Sequence, residues 1–149
     1  MKPNFNPQYK GMQCHIYLVR ENENAERIKI GHPADVYELV KEEMAHADRE
    51  MLVSIMLTTS NHLIGVETVS IGTLNATHVS PREVFKSAIL ANANAIILCH
   101  NHPSGELSPS SDDEKVTETI TKAGKLLGIR LIDHLIISNK GFKSLTNIE

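Results

Sequence analysis

The sequence has no tryptophan, two cysteines, and only 4% aromatic residues among its 149 positions. Cys14 and Cys99 stand far apart in the chain, in neither a zinc-finger spacing nor a disulfide framework. This excludes a small stapled secreted scaffold and makes a reducing cytoplasm the expected compartment. No apolar run approaches the roughly 20 residues that cross a bilayer, and no charged-then-apolar leader opens the chain. A membrane is therefore not an expected partner. Positive charge is scarce as well: 15 Lys and Arg face 18 Asp and Glu, for a formal net charge of −3. A protein that neutralises many phosphates carries the opposite balance, so sequence-independent nucleic-acid binding is disfavoured. No repeat of fixed period is present, which excludes a solenoid.

What is there is globular. Apolar residues make up 41% and charged residues 22%, and 149 positions suffice for one domain with its own core. Oligomeric state is not written in these figures.

Residues 1–12 hold Pro3, Pro7 and several Asn without apolar period, so they read as a loose arm. Cys14 to Val19 and Arg27 to Ile30 are short apolar runs around Glu21-Asn22-Glu23-Asn24 and suggest a hairpin, placing a domain boundary near residue 30. From Pro33 to about Ala47, Val36, Leu39, Val40 and Met44 recur at helical spacing. Met51 to Thr58 and His62 to Ile71 are strand-like neighbours. Ser80-Pro81-Arg82-Glu83 combines an N-cap, a first-turn proline and a reaching glutamate, so a helix is expected to about Asn92. Its core positions would be Val84, Ala88 and Leu90 or Ala91. Ala95 to Cys99 reads as a doubly buried strand with His100 at its end. A loop from Asn101 to Ser110 leads to a helix over Asp112 to Leu127, stopped by Gly128. Arg130 to Ser138 and a run around Phe142 to Leu145 close the pattern as strands. Alternating strands and helices predict an α/β domain, two- or three-layered, around one central mixed sheet over residues 31–149.

Chemistry concentrates in His100-Asn101-His102-Pro103-Ser104-Gly105, just past the buried strand, where α/β proteins place their sites. Residues i and i+2 of an extended chain point to one side, so both imidazoles can reach one point. Asp113 follows at the start of the next helix and can fold back to complete a His, His, Asp set. Zinc accepts that mixture, and a catalytic zinc keeps three protein ligands and an open fourth place. Cys99, the odd neighbour of His100, is expected to face the other way as a buried apolar residue. Taken alone, Ser110 and Asp113 would read as an N-cap and a first-turn acid. Cap and ligand are compatible, because a cap fixes the carboxylate.

His100-x-His102, then ten residues to Asp113, with Ser110 three before it, resembles the motif of JAMM/MPN-type metalloproteases. With Pro103-Ser104-Gly105 and Pro109 included, and with Glu67–Asn75, Pro81–Phe85 and Gly128–His134 as flanks, it resembles the RadC branch over about residues 33–149. The resemblance implies a cytidine-deaminase-like α/β/α arrangement, called the JAB/MPN fold, and a Zn2+ ion on His100, His102 and Asp113. It also implies an upstream glutamate that takes a proton from activated water. Glu50, just before Met51-Leu52-Val53, matches that place, and Glu67 competes for it. Ser110 would help hold the oxyanion formed when water attacks an amide. Asp133-His134 reads as a satisfied structural pair in preference to a second metal site. Residues 1–30 show no Gly-rich hairpin between helices, the segment that longer RadC proteins associate with DNA contact.

The expected function is a zinc metalloprotease acting on a protein or peptide substrate, at a peptide or isopeptide bond. The alternative is a DNA-repair-associated protein or nuclease acting on nucleic acid, which the charge does not support. Nucleobase deamination needs His-x-Glu and Pro-Cys-x-x-Cys, and neither is present. A non-catalytic interaction module ranks low, because the whole ligand set is in place.

Overall fold

The computed structural model describes residues 16–19, 21, 27–72 and 79–146. Its elements run α1 (Pro33–Met44), β1 (Met51–Leu57), β2 (Leu63–Ile71), α2 (Pro81–Leu90), β3 (Ala95–Asn101), α3 (Ser111–Leu127), β4 (Arg130–Ser138) and β5 (Gly141–Ser144). The strands form one mixed sheet in the order β2-β1-β3-β4-β5. Only β3 and β4, joined through α3, run parallel; the other three pairs are antiparallel.

Side-chain alternation sorts the two faces of that sheet. Met51, Val53, Ile55 and Leu57 of β1 join Ile97 and Cys99 of β3 under Val36, Val40 and Met44 of α1. Leu52 and Met56 join Ile96 and Leu98 under Val84, Phe85 and Ala88 of α2 and Val116 and Ile120 of α3. The result is the expected α/β/α sandwich, with one helix on one face and two on the other. Both central strands are buried along their whole length, as strands covered on two faces must be. Each fully buried aliphatic side chain contributes about 1.5–3 kcal/mol.

Helix signals act where the sequence puts them. Ser80 accepts a hydrogen bond from Arg82 N at 3.3 Å with Pro81 in the first turn. Gly128 ends α3 in the left-handed conformation, φ 71°, which costs glycine nothing. In α2 the buried trio is Val84, Phe85 and Ala88, and Leu90 is exposed. Of the expected alternatives, Ala91 packs against this cluster and Leu90 is exposed, while Phe85 is a core residue the spacing did not predict.

Two further expectations change. Strand β3 does not stop at Cys99 but continues through Asn101. The polar Asn101 is accommodated because its amide replaces a ladder partner: Oδ1 accepts from Met51 N at 2.6 Å and Nδ2 donates to Arg49 O at 3.0 Å. The hairpin expected between Cys14–Val19 and Arg27–Ile30 is not formed among the described residues. Residues 16–19 belong to no strand, and Lys29 bridges His62 instead. Ile30 N donates to Asn61 O and Leu63 N to Ile28 O, which seats Ile30 in the α1-side core. The arm at residues 1–12 lies outside the described residues.

Candidate metal centre

His100 lies inside β3 on the α2/α3 face, fully buried, and His102 sits one residue beyond the strand, partly open. Their Nε2 atoms are 2.9 Å apart. Asp113, in the first turn of α3, brings Oδ1 to 3.1 Å from His100 Nε2 and Oδ2 to 3.4 Å from His102 Nε2. These three side chains are the one group of metal-ligating type that converges among the described residues, with ligand atoms all within 4.8 Å of one another.

Each ligand is held from behind. Ser110 Oγ accepts from Asp113 N at 3.1 Å, and Asp113 Oδ2 accepts from Ser110 N at 2.6 Å, which is a reciprocal capping box. Burial pushes the Asp113 carboxyl up, but a proton shared with the His100 imidazole and the Ser110 N–H outweigh it and, with no cation bound, hold the group well below the usual carboxylate range. The N-terminal end of α3 favours the same anion. His102 Nδ1 lies 2.8 Å from the carbonyl oxygen of Glu106. The loop reaches back that far because Gly105 turns at φ 82° and its N–H bonds to His102 O. A side chain in that left-handed turn would also meet Asn139 Oδ1 at 3.3 Å.

The hydrogen positions follow from the partners. Thr117 donates its single hydroxyl hydrogen to Asp113 O at 2.8 Å, so toward His134 Nδ1, at 2.7 Å, it accepts. Burial, then the neighbouring His100, pushes the His134 pKa down to about 3, so the ring is neutral and its Nε2 carries a lone pair. His100 Nδ1, 2.8 Å away, must then donate to it. A carbonyl accepts only, so His102 Nδ1 is likewise the donor. With Nδ1 as the donor, each ring in its neutral form presents its inner Nε2 lone pair to the Asp113 carboxylate. Three acceptors face one another, and only a shared proton or a cation can fill the space between them. The donor set fits zinc, whose ligands are neutral imidazole and carboxylate.

The remaining candidates separate. Cys99 lies on the α1 face, away from the site, and burial with nearby Asp133 raises its thiol pKa. A thiolate ligand is excluded there. Glu50 precedes β1 and its carbonyl accepts from Gly72 N. Leu52 pairs with His100 across β1 and β3, so Glu50 lies two residues before the strand position opposite His100. Glu67 pairs with Ser54, which in turn pairs with Leu98. It therefore sits two strands away from β3, at about 4.8 Å per strand, and one pleat further down. Its Oε2 and Ser54 Oγ are buried without a hydrogen-bond partner among the described residues.

Asp133 and His134 are both buried and hydrogen-bonded, as the sequence reading expects, but not through each other's side chains. They alternate to opposite faces, and Asp133 Oδ1 instead accepts from His134 N, Ser144 Oγ and Thr146 Oγ1. His134 belongs to the metal centre. The available sequence signal was a histidine inside the apolar run of β4, together with Thr117 one helical turn after Asp113.

Among the described residues no helix is long and apolar enough to cross a membrane. The family described as RadC-like JAB domain matches residues 30–149. A UPF0758 protein of Clostridium kluyveri is 53% identical over 117 residues, covering 78% of this chain and 51% of that protein. UPF0758 proteins of Desulfitobacterium hafniense and Methanosarcina mazei are 48% and 47% identical over 116 and 117 residues, with the same coverages. The chain spans about half the length of these relatives. With residues 30–149 matched, the chain belongs to the RadC-like JAB-domain family.

Proposed function

We propose that the chain is a zinc-dependent hydrolase, a metallopeptidase that cleaves a peptide or isopeptide bond. The observation that carries this reading is the meeting of two imidazole lone pairs and one ionised carboxylate with no hydrogen-bond donor among them. Zinc held by His100, His102 and Asp113 would acidify water toward neutral pH and polarise a carbonyl. Three protein ligands and the exposed side of His102 leave room for substrate.

The chain's own residues supply the rest. Glu50, two residues before the strand partner of His100, takes the proton from the attacking water and returns it to the leaving nitrogen. Ser110 uses its oxygen to cap α3, which leaves its hydroxyl hydrogen to donate to the developing oxyanion. Asn101 ties the start of β1 to the end of β3 and so fixes the spacing between base and ligands. The net charge of −3 supports a protein or peptide substrate over nucleic acid.

Metal analysis of protein purified without chelator, together with a panel of peptide and isopeptide substrates, tests the reading. About one zinc per chain and zinc-dependent cleavage are expected. Stoichiometric zinc persisting in a His102→Ala variant would overturn the ligand assignment.

A further inference from the structure

We infer that His134 and Thr117 are positioning residues of this centre, forming a hydrogen-bond relay that sets one metal ligand against another. The relay runs from His100 Nδ1 to His134 Nε2 at 2.8 Å, from His134 Nδ1 to Thr117 Oγ1 at 2.7 Å, and from Thr117 Oγ1 to Asp113 O at 2.8 Å. It starts at the β3 ligand, crosses β4, and ends on the backbone of the α3 ligand. The inference rests on the zinc reading above.

The need for such a device follows from the chain's course. His100 and Asp113 are on different elements, and the segment from His102 to Ser110 that joins them is irregular. The sheet fixes His100 but says nothing of where the first turn of α3 lies. Thr117 is four residues after Asp113, one turn along the same helix, so its hydroxyl reaches the Asp113 carbonyl as well as the next strand. His134 is fully buried and its ring contacts that of His100, with centroids 4.8 Å apart. A buried ring with both nitrogens bonded in sequence has one orientation, and it transmits that orientation to His100.

The relay also fixes chemistry. A donor at His100 Nδ1 is what leaves Nε2 with its lone pair directed at Asp113 and His102. Outer partners of ligating histidines are usually carboxylates, carbonyls or water, and their loss weakens metal binding about 10- to 100-fold. Here a neutral imidazole takes that place, and the hydroxyl behind it selects its tautomer. Thr117→Val therefore disturbs His100 without touching it, because a valine offers His134 Nδ1 no acceptor.

The test is zinc affinity by chelator competition and the visible spectrum of the cobalt(II)-substituted protein, for the parent, Thr117→Val, His134→Leu, His134→Gln and the double variant Thr117→Val/His134→Leu. Thr117→Val is nearly isosteric and keeps the test informative should His134→Leu fold poorly. The expected result is zinc binding about 10- to 100-fold weaker in His134→Leu and about tenfold weaker in Thr117→Val, each with a shifted cobalt spectrum. His134→Gln, whose amide oxygen can accept from His100, recovers most of the affinity. Thr117→Val adds nothing in the His134→Leu background, since the hydroxyl acts through the ring; a purely structural contribution would add. Parent-like affinity and spectra in both single variants, or additive losses in the double variant, would overturn the relay and leave the zinc site standing. A parent that binds no zinc would overturn the proposed function and the relay with it.

Discussion

Ser110 and Asp113 hold each other in place: the serine hydroxyl accepts the aspartate's backbone N–H at 3.1 Å, and the aspartate carboxylate accepts the serine's at 2.6 Å. A helix cap and a candidate metal ligand are thus one structure. Substituting Ser110 by alanine removes one half of the box and costs about 1 kcal/mol of stability. Ser110→Thr preserves the cap. Urea denaturation should rank the three proteins parent, Thr, Ala, with zinc affinity following the same order. Equal stability of the alanine variant would show that the carboxylate is fixed by other contacts.

Metal removal should be visible in stability. A ligand that binds only the folded chain stabilises it by about 2.7 kcal/mol when present at 100 times its Kd. Chelator should therefore lower the Tm of the parent and leave that of His102→Ala unchanged. His102 is the suitable position because it is partly open at the edge of the site, whereas His100 is fully buried. A chelator effect of equal size in both proteins would place the metal elsewhere.

Glu50, the proposed base, lies two residues before Leu52, the strand partner of His100, and separates binding from chemistry. Glu50→Gln should keep stoichiometric zinc while hydrolysis falls about 10²- to 10⁴-fold, the usual weight of a general base. Glu67→Gln, two strands from β3, should leave turnover unchanged. Full activity in Glu50→Gln would remove it from the mechanism.

Acid should weaken the fold through His134. Its folded pKa of about 3 lies below the 6.5 of the free side chain because the ring is buried. The unfolded chain therefore takes up a proton that the folded chain refuses. The contribution is complete above pH 6.5 and is lost as pH falls from there toward 3. At pH 5 the loss is about 2 kcal/mol from this residue. Asp113 adds a loss only below its ordinary 3.8, because its pKa is depressed in the fold. Urea titrations of chelator-treated protein at pH 7 and pH 5 should differ by that amount, and by much less in His134→Gln. Identical acid slopes would mean that the ring is protonated in the folded chain.

Gly124 offers a control remote from the chemistry. A Cβ there would lie 2.3 Å from the carbonyl oxygen of Ile129 and 3.2 Å from the Phe85 ring. The carbonyl belongs to backbone that returns to β4, so it cannot yield like a side-chain tip. Gly124→Ala should cost about 1–3 kcal/mol through overpacking, despite the better helix propensity of alanine. Zinc stoichiometry should stay at the parent value.

Much of this was legible in the chain. Period and punctuation located the helices, because Ser80-Pro81, Ser110 and Gly128 act on their own backbone within a few residues. Alternation around Cys99 and His100 assigned their faces without knowledge of strand order. Errors fell where a residue's state depends on partners distant in sequence. The end of β3 was misplaced because Asn101 is satisfied by Arg49 and Met51, some fifty positions away. Asp133 and His134 are adjacent in sequence, yet the pleat sends their side chains to opposite layers, where different partners satisfy each.

The sequence by itself determined the candidate ligand set, since His100-x-His102 and the Ser110–Asp113 cap are local geometry that follows from strand pleat and helix end. Only the tertiary structure decided how the set is held. His134 reaches His100 through the parallel pairing of β3 with β4, and Thr117 reaches His134 through the packing of α3 on the sheet. Those contacts depend on the order in which strands and helices assemble, and no short-range pattern in the chain encodes that order.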